Sequence, residues 1–139
     1  MFCRIVRGEI PSHKVYEDAN TLAFLDIHPS TLGHTLIIPK AHIAKVEDLP
    51  EEDAEALFGT LHKIVGGIQK AVDAPASTIG INNGRESGQE VPHVHIHVIP
   101  RSKGDRGGII QGITRSRRPD NDEMIEIAKK IRLKIAESG

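Results

Sequence analysis

Residues 93 to 99 read His-Val-His-Ile-His-Val-Ile, and no other stretch of the chain restricts its fold so tightly. Polar and apolar residues alternate strictly, which is the period of a half-buried β-strand. Successive strand side chains point to opposite faces, so the spacing predicts His93, His95 and His97 on one face and Val94, Ile96 and Val98 on the other. Neighbours on one face lie roughly 7 Å apart, so such a row can reach one small anion or one metal ion. Three readings follow. The row is the exposed polar face of an ordinary strand; or it is a zinc site, because His-x-His on a strand is good ligand spacing; or one imidazole attacks a substrate while another handles a proton. An ordinary histidine pKa near 6.5 makes a neutral nucleophile and a protonated neighbour both accessible at neutral pH.

The stretch before the row, Asn82-Asn83-Gly84-Arg85-Glu86-Ser87-Gly88-Gln89-Glu90-Val91-Pro92, bears on that choice. Its glycines and asparagines allow positive φ and a sharp turn. Backbone N–H groups in such a loop can point at an anion with no side chain in the way. Alone it reads as a plain hairpin loop; joined directly to a histidine strand it favours a phosphoryl group over a metal.

With these residues the chain resembles the histidine triad superfamily of nucleotide hydrolases and transferases. The resemblance rests on His93 to Ile99 with Gln89 and Asn82 upstream, and on a second block, Leu22-Ala23-Phe24-Leu25-Asp26-Ile27 followed by Gly33-His34-Thr35-Leu36-Ile37-Ile38-Pro39-Lys40-Ala41-His42-Ile43. It runs from near Cys3 to about Arg101. It implies substrates built from a nucleoside monophosphate and a leaving group, such as phosphoramidates, dinucleoside polyphosphates or acyl adenylates, cleaved without a cofactor to release AMP or GMP. Within it His95 is the nucleophile that attacks the α-phosphorus. His97 contacts the phosphate and helps protonate the leaving group, His93 orients the ring of His95 through a hydrogen bond, and His34 joins the same cluster. Asp26 binds the ribose hydroxyls with Ile27 beside the base. Asn82 and Gln89, with backbone N–H groups near Gly88, hold phosphate oxygens or His95 itself. It also implies an α+β fold with a five-stranded antiparallel sheet, two main helices, and a homodimer whose sheets join. Gln89 and the exit Ile99-Pro100-Arg101 lean towards the polyphosphate-cleaving branch. A non-catalytic purine-nucleotide-binding module and a nucleotidyltransferase or phosphorylase remain as alternatives; the intact His97 favours hydrolysis over the latter.

The other histidines, His13, His28, His42 and His62, are not drawn into catalysis by this pattern. Some superfamily members form a structural zinc site from an N-terminal Cys-x-x-Cys pair and histidines. Cys3 is the sole cysteine here, so no metal is expected, nor an intrachain disulfide. A net charge of −1 gives no overall basic character to suggest nucleic acid as a partner. The apolar stretches are too short to cross a bilayer, and Met1 to Gly8 lack a signal-peptide core, so a soluble cytoplasmic protein is expected.

At 139 residues the chain is read as one domain: a core over 1–101, a basic flexible segment over 102–118 and a C-terminal helix over 120–137. Strands are predicted over Lys14 to Glu17, Thr21 to Asp26, Thr35 to Ile38, Thr78 to Asn82 and His93 to Ile99, with a turn at Pro29 to Gly33. A helix is predicted over Glu51 to Val72, where Leu57, Leu61, Ile64, Ile68 and Val72 form one apolar stripe. Gly66 and Gly67 weaken its middle by roughly 1 kcal/mol each, unless they admit a close packing partner. Asp120 and Glu123 have the spacing of a capping box, and Met124, Ala128, Ile131 and Ile135 follow as an apolar packing face. Lys103, Arg106, Arg115, Arg117 and Arg118 are either a solvated tail or a flap for additional phosphates.

Overall fold

The computed structural model describes residues 1–138 and falls into two compact units, Met1–Gly107 and a second from Gly108 onward. The first unit holds α1 (Phe2–Val6), β1 (Lys14–Glu17), β2 (Thr21–Leu25), β3 (Thr35–Pro39), α2 (Glu51–Ala71), β4 (Ala76–Gly80) and β5 (Ile96–Arg101); α3 (Asn121–Ser138) belongs to the second. The five strands form one sheet in the order β1-β2-β3-β5-β4, every pair antiparallel. This is the α+β, five-stranded antiparallel fold that the family resemblance implies. No helix among the described residues is long and apolar enough to cross a membrane.

Both faces of the sheet centre are covered, which is why β2 and β3 are almost continuously apolar. Ala23, Ile37, Val94, Ile96 and Val98 pack with Leu57 of α2, and Leu61, Ile64 and Ile68 of the predicted stripe join them. Leu22, Phe24, Leu36 and Ile38 point the other way and pack with Phe2 and Ile5 of α1. The alternation read from 93–99 therefore holds: its aliphatic residues face α2, and the histidines are left on the α1 side.

Beyond one-residue differences at the ends of β2 and β3, the limits of β5 and β4 differ from expectation. Ladder pairing in the histidine segment begins at Ile96, because the Val94 N–H donates to the Ile43 carbonyl (2.8 Å) and the His93 N–H to the Val91 carbonyl (2.8 Å). Strand β4 lies two residues earlier than predicted, paired from Ala76 opposite Arg101 to Gly80 opposite His97, which leaves Asn82 in the loop. The turn before β3 needs its glycine: Gly33 has φ +89°, and a Cβ there would sit 2.9 Å from Val72 Cγ1. Gly66 and Gly67 have open space where a Cβ would go, so no close approach within the chain explains them.

In the second unit the capping box forms as predicted: the Glu123 N–H donates to Asp120 Oδ1 (2.9 Å) and the Asp120 N–H to Glu123 Oε1 (3.2 Å). Met124, Ile131 and Ile135 of α3 are 53%, 51% and 66% exposed.

Candidate active site

On the α1 side of the sheet lies a cavity of about 540 Å³. The register puts His97 opposite Leu36 of β3 and Gly80 of β4, and His34 immediately precedes β3. His34, His95, His97, Asp26, Ile27 and Asn82 all line the cavity, as does Gly88. Of the residues predicted to form the site, only His93 and Gln89 lie outside its lining.

Main-chain hydrogen bonds fix the proton positions on these rings. A carbonyl only accepts, so His95 Nδ1 must donate to the His93 carbonyl at 2.8 Å. In neutral His95 the lone pair is therefore on Nε2, which has no hydrogen-bond partner among the described residues. A backbone N–H only donates, so His34 Nδ1 accepts from Ser30 (3.0 Å) and neutral His34 carries its proton on Nε2. That proton is directed at His97 Nδ1, 2.9 Å away, which leaves the His97 proton on Nε2. One peptide N–H thus sets the tautomers of two histidines in series.

Burial is the dominant influence on His34 and His97. It lowers the His34 pKa below the ordinary value despite the raising effect of Asp26, whose Oδ2 is 3.7 Å from His34 Nε2. Burial, followed by the neighbouring His95 and His34, pushes His97 down to about 4. His97 is therefore neutral near pH 7 in the unliganded protein, and a protonated neighbour for His95 is not present before a substrate arrives.

Gln89 serves the loop itself. Its Oε1 accepts from the Gly84 N–H (2.8 Å), and its Nε2 donates to the carbonyls of Ala44 (2.8 Å) and Val91 (3.0 Å). With its amide so engaged, Gln89 shapes the loop that presents Asn82 and Gly88, the latter at φ +102°. The orienting bond expected of His93 exists, but its backbone carbonyl makes it. The His93 imidazole faces elsewhere: Nε2 donates to the Pro39 carbonyl (2.7 Å), and Nδ1 lies 3.9 Å from Cys3 Sγ, which in turn lies 2.9 Å from His42 Nδ1. The ligand atoms of Cys3, His42 and His93 lie within 4.8 Å of one another. Counting thiolates along the sequence does not reveal this cluster.

Phe2, His28 and Glu90 are among the cavity residues that carried no recognised sequence signal. Phe2 meets the His95 ring edge-on, with centroids 5.1 Å apart and planes at 89°, and its partner is remote in sequence. His28 lines the cavity and donates its N–H to Asp26 Oδ1 (2.9 Å). Glu90 lines the cavity beside Gly88 in the loop.

Comparison with known proteins gives a consistent result. Residues 7–104 match the family model for the HIT domain. The chain is similar to the protein named hit from Bacillus subtilis, with 46% identity over 79% of this chain and 77% of that one. It is similar to an adenosine 5'-monophosphoramidase of Saccharomyces cerevisiae, with 37% identity over 97% of this chain and 82% of that one. Among solved structures, a protein of Streptococcus mutans superposes with a TM-score of 0.89 at 41% identity, covering 97% of this chain and 84% of that one.

Proposed function

Because the chain belongs to the HIT domain family, we propose that it hydrolyses conjugates of a purine nucleoside 5'-monophosphate at the α-phosphorus, adenosine phosphoramidates among them, through a nucleotidyl-histidine on His95. The observation that carries this reading is the fixed ring of His95: Nδ1 is tied to the His93 carbonyl, and the unpartnered Nε2 belongs to a side chain that lines the cavity. The similarity to the yeast phosphoramidase supports the reaction class.

In the first step the Nε2 lone pair of His95 forms a bond to the α-phosphorus. The bond to the leaving group breaks, and its electron pair departs with that group. His97 is neutral before binding; the arriving phosphate charge offsets the burial penalty, so His97 takes up one proton from solvent at Nδ1 as the His34 Nε2–H turns away from it. A proton from His97 Nε2 then passes to the leaving group. In the second step water attacks the phosphorus, its proton returns to His97, and the P–N bond gives its electron pair back to His95 as the nucleoside monophosphate departs. Dividing one displacement into two removes the need to activate water for the first. Asn82 and the backbone around Gly88 are suited to receive phosphate oxygens, and Asp26 with Ile27 to receive ribose and base.

Cys3, His42 and His93 form a thiol and imidazole donor set that suits zinc, and the buried His93 Nδ1 has no partner nearer than Cys3 Sγ at 3.9 Å. An ion held there would act structurally, joining α1 to the segment that carries the nucleophile. Strand β4 is at a sheet edge, which supports the homodimer with joined sheets as part of the same proposal.

Trapping tests the reading. Brief mixing with an adenosine phosphoramidate followed by an alkaline quench, since a phosphoramidate bond is acid-labile, should yield an AMP adduct that peptide mass spectrometry places on His95. Turnover by wild type with no adduct on His95, or undiminished turnover by His95→Ala, would overturn it.

A further inference from the structure

The cavity around His95 is unevenly charged. Asp26 and Glu90 contribute carboxylates to its lining, and neither lysine nor arginine contributes to it. The two acids differ in their engagement. Asp26 Oδ1 receives the His28 N–H (2.9 Å), and Oδ2 lies 3.7 Å from His34 Nε2. Glu90 is exposed and makes no hydrogen bond or ion pair with the described residues. It follows Gly88 and Gln89 on the loop that brings Asn82 and Gly88 to the cavity, whereas Asp26 and Ile27 come from the end of β2. Glu90 therefore belongs to the loop assigned to the phosphate, not to the segment assigned to the nucleoside. The basic residue at the exit of β5 is held away from this role: Arg101 is bound by Asp105 through Nε (2.7 Å) and Nη2 (3.1 Å), and by Thr78 through Nη1 (2.9 Å).

We propose that Glu90 is a specificity-determining residue that selects the leaving group by charge, favouring an amine leaving group with an additional ammonium and disfavouring a polyphosphate chain. This assignment rests on the hydrolase reading and deepens it. A polyphosphate brings further negative charge into a cavity whose lining offers no lysine or arginine side chain, next to an unpaired carboxylate. An ammonium on the departing amine gains from the same carboxylate. One screened charge interaction of this kind changes a rate or binding ratio by about tenfold, and added salt weakens it.

The test compares three adenosine 5'-monophosphate derivatives under identical conditions. One is a phosphoramidate whose amine carries a pendant ammonium, the second is its uncharged isostere, and the third is a diadenosine tetraphosphate. The wild-type kcat/KM ratio of cationic to uncharged substrate should fall by about tenfold in Glu90→Gln, and should fall further in Glu90→Lys with a gain for the tetraphosphate. The wild-type ratio should shrink as ionic strength rises. Glu86→Gln, in the same loop but outside the cavity lining, should leave the ratio unaltered. An unchanged ratio in both Glu90 variants overturns the assignment, as does an equal change in Glu86→Gln. Absence of His95 adduct with all three compounds would instead refute the hydrolase reading. Equilibrium binding of the same compounds then decides the role of Glu90, whose neutralisation must still shift the affinity ratio.

Discussion

Before substrate binds, His97 is held neutral by a chain of hydrogen bonds that begins at a peptide group, Ser30 N–H to His34 Nδ1 and His34 Nε2 to His97 Nδ1. Its Nε2 proton has no partner in that chain, and it is the one that passes to the leaving group once binding has protonated the ring. His97→Ala should therefore depend strongly on the leaving group. With an amine leaving group, kcat/KM should drop by about 10² to 10⁴-fold, the range of a positioned proton donor. With a leaving group that departs as a stable anion, the loss should be slight, and equal losses would remove the donor role. His34→Ala should reproduce the same pattern in weaker form, because it frees His97 to adopt the wrong tautomer without deleting its proton. Comparing the two variants over a leaving-group series separates a donor from the residue that positions it. The histidine row was legible in the sequence because its signal is local: the alternation alone assigns His95 and His97 to one face. The tautomer chain was not legible, since it depends on a main-chain N–H that any residue but proline at position 30 would supply.

The loop between β4 and β5 shows a different kind of dependence. Within it the Gln89 amide binds Gly84, Ala44 and Val91. Gln89→Ala removes all three bonds and leaves part-buried main-chain groups to find water, at a cost of about 1 kcal/mol per bond. The expected outcome is a raised KM and faster proteolysis between 84 and 91, with the leaving-group preference retained. A changed preference with normal protease resistance would mean that Gln89 touches the substrate after all. The turn before β3 should be sensitive for a steric reason. Gly33→Ala combines φ +89° with a Cβ placed 2.9 Å from Val72 Cγ1, and should cost about 1–3 kcal/mol in urea unfolding. Sequence patterns located these elements within a few residues, since periodicity and turn chemistry act over short distances. They did not reveal what Gln89 or Cys3 would touch. Cys3 meets His42 and His93 across separations of 39 and 90 residues, which no local pattern encodes.

At the scale of the molecule, the site is built at the expense of acid stability. His34, His93 and His97 all have pKa values below the ordinary 6.5, with burial the leading cause in each. Unfolded, each binds a proton near 6.5; folded, each does so only at lower pH, near 4 for His97. Between those values the unfolded chain holds more protons, so stability rises with pH and is lost as pH falls from about 6.5 towards 4. The carboxylates respond lower on the scale. The Arg117 guanidinium, above all, holds Glu123 near 2, so its contribution is complete above 4.5 and declines only below that. Calorimetry from pH 7.5 to 5.5 should therefore show Tm already falling, above the range in which the Glu123 contribution is lost. His97→Asn should make the fall shallower, because one of the three depressed groups is gone. Saturating AMP should also reduce the slope, since its phosphate favours protonated His97 in the folded state. A Tm that stays level down to pH 5 would mean that these imidazoles accept protons as readily in the fold as in water, and His97 would then be partly protonated near neutral pH before substrate binds.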